Sequence, residues 1–254
     1  MLVGVRYAVA CFWLCGCNSI FGLAATQPYP DGLLIDAKFF DAPLDSACTT
    51  ATIEAEADGP LNSTLPTQGN SQQTLVNLSN GLMQRGLVRF DTSGFPATPP
   101  APLYSLTLVV AYAVHDDACG AGCGPCLGLE AAGNFRVYPA RSDWTERNGA
   151  DVGITWNCRM GASGCTALQQ WQVPGAEGLS DRGSELGALD HVAGQDSSLE
   201  IKGVALTQTT SWLDVKKLSF EIVPNGSAQF VIRAHEHTCD AGAHASQLTA
   251  TYCP

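Results

Sequence analysis

The sequence predicts an all-β protein, an antiparallel β-sandwich with disulfide-reinforced loops. Three observations predict it: short runs in which apolar and polar residues alternate at period 2, Gly/Pro/Asn/Asp clusters between those runs, and an even set of cysteines behind an export-like N-terminus. Hydrophobic content of 45% against 15% charged residues is enough to build a packed core. A net charge of −11, with Lys216-Lys217 as the longest basic run, argues against a nucleic-acid partner, because such binding needs Lys/Arg stripes that neutralise phosphates.

The first segment reads as a signal peptide. Arg6 supplies a positive start, and Tyr7 to Leu14 form an apolar stretch too short to span a bilayer. Leu14-Cys15-Gly16-Cys17 resembles the bacterial lipobox, in which the last cysteine receives diacylglycerol and becomes the mature N-terminus. Residues 1–16 are then the signal and Cys17 the lipidation site, so the protein is expected to be anchored to a membrane rather than to span it. Asn18, in place of an Asp, favours the outer membrane or cell surface of the envelope. Residues 17–46 carry Pro28, Pro30 and Pro43 without sustained periodicity, as a tether would, which leaves 47–254 as one domain.

With Cys11 and Cys15 removed and Cys17 lipidated, Cys48, Cys119, Cys123, Cys126, Cys158, Cys165, Cys239 and Cys253 remain. An even remainder in an oxidising compartment suits a disulfide framework whose connectivity sequence leaves open. Cys158 and Cys165 flank a Gly-rich stretch and could close a small loop; Cys48 and Cys253 bracket the domain. The rival reading is zinc, from the two-residue spacing of Cys123 and Cys126, but a zinc ribbon needs a second such pair.

Within the domain, Thr52 to Ala57 alternates, and Glu54, Glu56 and Asp58 fall on one side at period 2. Gly86 to Asp91 and Tyr104 to Val114 are β-branched and aromatic runs. The second of these has apolar residues on both faces, so it predicts a central strand. Ala205 to Leu213 can make a short helical turn. Leu218 to Ile222, the turn residues Pro224-Asn225-Gly226-Ser227 and Ala228 to Ala234 predict a hairpin, and Gln247 to Tyr252 a last strand.

Several of these stretches resemble the DNRLRE domains, jelly-roll β-sandwiches grouped with carbohydrate-binding modules. They are Leu87-Val88-Arg89-Phe90-Asp91-Thr92-Ser93 with Phe95-Pro96, Val137-Tyr138, Ser142-Asp143-Trp144-Thr145-Glu146, Thr155-Trp156-Asn157, Trp171 to Gly175, and Ala234-His235-Glu236. The resemblance implies a jelly-roll fold and a glycan-binding role. The cysteines depart from the family pattern, so the chain looks like a divergent, disulfide-reinforced member.

Sugars are held by flat apolar platforms with polar groups beside them. Tyr138, Trp144, Trp171 and Trp212 are the candidates; Trp144 and Trp156 sit in fold-holding motifs, whereas Trp171, beside a loop and Pro174, is expected to be the exposed one. Two weak metal candidates stand beside them: the acidic trio Glu54, Glu56 and Asp58, for calcium, and the set His235, His237 and His244 near Cys239. Asp143 and Glu146 could form a glycosidase dyad, although a loop-fixing role is more economical. No nucleophile elbow, zincin motif or phosphate loop occurs. The expectation is therefore a non-catalytic surface lipoprotein module without a cofactor, calcium aside. It would bind polysaccharide or serve envelope adhesion; a polysaccharide-degrading enzyme and a purely structural domain are the alternatives.

Overall fold

The computed structural model describes residues 48–67, 75–79, 84–96, 99–113, 115–116, 124–125, 131–146, 153–161, 165–210, 216–233, 235 and 244–254. The signal and tether segments lie outside these, as do Cys17, Cys119, Cys123, Cys126, Cys239, Trp212 and His237. Among the described residues no helix is long and apolar enough to cross a membrane.

The strand β1 (Thr49–Asn62) organises the fold because its two halves belong to two different layers. Its first half pairs with β12 (Gln247–Tyr252), from Thr49↔Tyr252 to Glu54↔Gln247. Its second half pairs with β3 (Gln84–Asp91), and the register slips between Ala55 and Ala57. A bulge of this kind adds one residue, bends the strand and reverses the alternation beyond it. Ala55 accordingly packs in one apolar cluster and Ala57 in another.

The first layer runs β1–β12–β4–β9, with β4 (Leu103–Val110) central, as its two-sided apolar pattern predicts, and β9 (Ser197–Ile201) at the edge. The second runs β8–β7–β10–β3–β1, where β7 is Gly133–Ala140, β8 Gly187–His191 and β10 Lys217–Asn225. The outermost strands of the two layers, β8 and β9, are consecutive in the chain, so the long path folds back on itself into a sandwich-like pair of sheets. Every ladder among the described residues is antiparallel. β2 (Leu75–Ser79) bridges β3 to β11 (Gln229–Arg233), and β5 (His115–Asp116) pairs with β6 (Gly124–Pro125). The one described α-helix, α1 (Gly203–Thr210), overlaps the expected helical turn.

The expected hairpin is corrected. Pro224 and Asn225 belong to β10 itself and residues 226–228 connect it to β11, yet these strands do not pair: β3 occupies one edge of β10 and β7 the other, while β11 pairs with β2. Their alternation was genuine, but it reports which face is apolar and says nothing of which neighbour supplies the hydrogen bonds.

Between the layers lies an aliphatic and phenylalanine core that includes Val88, Phe90, Leu106, Leu108, Phe220, Ile222, Phe230 and Leu248, all fully buried. Each such side chain contributes roughly 1.5–3 kcal/mol of burial free energy. Both disulfides with a physical basis in the sequence are present, Cys48–Cys253 and Cys158–Cys165. The first extends the β1/β12 ladder one residue beyond the Thr49↔Tyr252 pair.

Candidate functional site

The outer face of the second layer is covered by chain instead of water. Between β7 and β8 the chain makes an excursion over residues 141–186, with no long strand among its described residues. Its Trp144, Ile154, Trp171 and Ala176 pack on Ala57, Leu61, Leu87 and Ala140 of the sheet. Alternation on β3 sends Val88 and Phe90 to the inner core and leaves Arg85, Leu87 and Arg89 to meet this cover.

Two arginines pin the cover in place. The Arg89 guanidinium lies 4.7 Å from the Trp144 ring centroid, and it donates to the Trp144 carbonyl at 2.5 Å and to Glu56 at 2.6 Å. Arg85 lies 5.0 Å from the Trp156 ring; it donates to the Gly175 carbonyl at 2.6 Å and to Glu221 at 3.2 Å, and it pairs with Glu177. Gly175 has φ +79°, and a Cβ there would come within 2.7 Å of the Trp156 ring, so this turn requires glycine. Glu221 is fully buried between Arg85 and Arg182; burial pushes its carboxyl up to about 7 against the pull of both guanidiniums.

This packing decides the fate of the aromatic candidates. Trp144 is buried and donates from Nε1 to Ser219 Oγ at 3.2 Å. The expectation that Trp171 is exposed is corrected: it is only 4% exposed and donates from Nε1 to the Thr155 carbonyl at 3.0 Å. Sequence placed it beside a loop and Pro174; the loop, however, lies against the sheet and Trp171 is its anchor. Tyr138 is half-buried under the Arg182 guanidinium, 4.2 Å from its ring, with its hydroxyl bonded to Glu185. None of these rings is a free platform.

The same excursion leaves an open cleft of about 520 Å³ on its outer side. Ser142, Arg159, Gln170, Trp171, Gln172 and Asp181 line it, so its border is mostly polar. The lining is fixed in place. Asp181, 1% exposed, accepts from Val173 N, Gly178 N and Ser142 Oγ, and Arg159 donates to the carbonyls of Asp143 and Leu168. Gln170 and Gln172 remain exposed at the cleft.

A second constellation joins residues that the sequence kept apart. Asp58 of β1, Glu146 at the end of the Ser142-Asp143-Trp144-Thr145-Glu146 segment, and His235 after β11 bring their ligand atoms within 4.8 Å of one another. His235 Nδ1 lies 3.4 Å from Asp58 Oδ2 and 3.3 Å from Glu146 Oε1. Backbone donors hold both carboxylates, His235 N to Asp58 at 2.6 Å and Asp58 N to Glu146 at 3.1 Å. Burial raises the Asp58 carboxyl, whereas hydrogen bonds to Asp58 and Glu146 raise the His235 imidazole to about 10.

The acidic trio is corrected as a group, and of the histidine set His244 stands apart from His235, while His237 lies outside the described residues. The bulge in β1 separates the trio: Glu54 is exposed in the first layer, Glu56 is tied to Arg89 and Lys217, and Asp58 is buried with His235. His244 bonds instead to the Ala245 carbonyl and lies 3.5 Å from Asp196. Asp143 and Glu146 take different partners: Asp143 accepts from Trp144 N, and Glu146 belongs to the His235 cluster.

No protein-family model matches the chain, and no curated protein is significantly similar to it. The DNRLRE resemblance rests on the residues quoted for it.

Proposed function

We propose that the protein is a non-catalytic, lipid-anchored envelope module that binds polysaccharide in the cleft of the 141–186 excursion. The observation that carries this reading is the cleft itself: carboxamides, a guanidinium and hydroxyls border an open hollow, the array of donors and acceptors that sugar hydroxyls call for, with the buried Trp171 among its lining residues. The DNRLRE resemblance, with the jelly-roll connectivity it implies, and lipidation at Cys17 with display at the outer membrane or cell surface, belong to the same proposal. The two carboxylates of the suspected dyad serve other partners, which favours binding over hydrolysis.

Affinity electrophoresis of the full chain through gels loaded with individual polysaccharides tests it. Retardation by at least one of them is expected, with Arg159→Ala and Gln172→Ala each weakening it about tenfold or more through the loss of directional hydrogen bonds. Release of reducing ends would replace the reading with an enzyme. Absence of retardation across the panel would replace it with a purely structural domain.

A further inference from the structure

We propose that Asp58, Glu146 and His235 form a binding site for a zinc-class divalent cation. The inference is independent of the cleft and stands whether or not a glycan binds there. One imidazole nitrogen and two carboxylate oxygens are the donor set that zinc accepts, with a fourth position left for water. For bonds of about 2.0–2.1 Å, adjacent ligand atoms on a tetrahedron stand about 3.3–3.4 Å apart. The His235–Asp58 and His235–Glu146 separations are 3.4 and 3.3 Å.

Three further features favour a cation. The donors come from elements far apart in the chain, and the Asp58 side chain is 5% exposed, so the carboxylates are brought together where water solvates them poorly. The N–H groups of Asp58 and His235 already hold the carboxylates, the outer support that orients metal ligands. Glu146 and His235 are 22% and 24% exposed, which gives an ion a way in. Calcium, which takes six to eight oxygens, is disfavoured by the imidazole.

The test is a titration of the full chain, disulfides intact and stripped with a chelator, first with Co²⁺ as a spectroscopic probe and then with Zn²⁺ in competition. One Co²⁺ per chain is expected, with the intense visible absorption of a tetrahedral site and no thiolate charge-transfer band, displaced by Zn²⁺ and not by Ca²⁺. His235→Gln and Glu146→Gln, both at partly exposed positions and checked for folding by circular dichroism, should each weaken binding about 30-fold or more, and His244→Gln should not. Zn²⁺ should raise the melting temperature of the wild type and not of H235Q. The proposal is overturned by binding that H235Q and E146Q leave unchanged, by a weak octahedral Co²⁺ spectrum or a thiolate band, or by no binding at millimolar metal.

Discussion

The two faces of the second sheet are buried by different means. Inside, between the layers, Val88, Phe90, Phe220 and Ile222 meet aliphatic side chains of the first sheet, and size and shape decide the fit. Outside, Arg85 and Arg89 meet two indoles and the loop backbone, with Glu221 held by Arg85, and direction decides it. An irregular segment has no ladder of its own to satisfy its backbone, so the guanidiniums supply donors to its carbonyls while their planes cover its rings. The motifs most conspicuous in the sequence, the Arg of Leu87 to Ser93 and the Trp of Ser142 to Glu146, therefore recognise each other.

Neighbouring residues on β10 allow the two faces to be broken separately. Phe220→Ala should cost about 3–5 kcal/mol through an inner cavity. Glu221→Ala should cost about as much, because it strands two guanidiniums under the cover. Melting temperatures should fall by roughly 10 °C in each. The cases separate on adding Arg85→Met, which should recover about 1–3 kcal/mol in the Glu221 variant by removing a stranded charge and nothing in the Phe220 variant. If both respond alike, the distinction between the faces fails.

Replacing Cys158 and Cys165 by Ser tests the cover alone. Releasing a loop with a sequence separation of 7 should cost about 2 kcal/mol. Proteolysis should then begin within the excursion while the inner sheets resist; simultaneous cleavage throughout would show that the faces unfold as one. The remaining test is a pH slope. Glu221 has its carboxyl raised from 4.5 to about 7, so the folded state holds its proton more tightly than the unfolded chain does. The associated stability is fully present below pH 4.5 and is lost as pH rises through about 7. Thermal melts of wild type minus Glu221→Gln should show that decline, a difference that also cancels His191, whose burial-lowered pKa acts in the opposite sense.

Much of the architecture was legible because alternation is local. β3, β4 and β12 lie within the runs read from the sequence or extend them by a residue or two, and the Cys48–Cys253 and Cys158–Cys165 bridges follow from position. Pairing was not legible, since β10 chose β3 and β7 over its sequence neighbour. β8 and β9 were missed because five-residue strands give too few periods to stand out. The site was legible only in fragments. Asp58 and His235 each stand among local companions in the sequence, and nothing near either announces that a bulge and a returning strand bring them together with Glu146.

The Cys48–Cys253 bond has a mechanical consequence. Tension arriving along the chain ahead of Cys48 reaches β1 and β12 at the same point, because a covalent link ties the start of one to the end of the other. The load then enters two adjacent strands at once, so peeling β1 away from its neighbour, the easiest way to unzip such a sheet from its terminus, is blocked until that link is reduced.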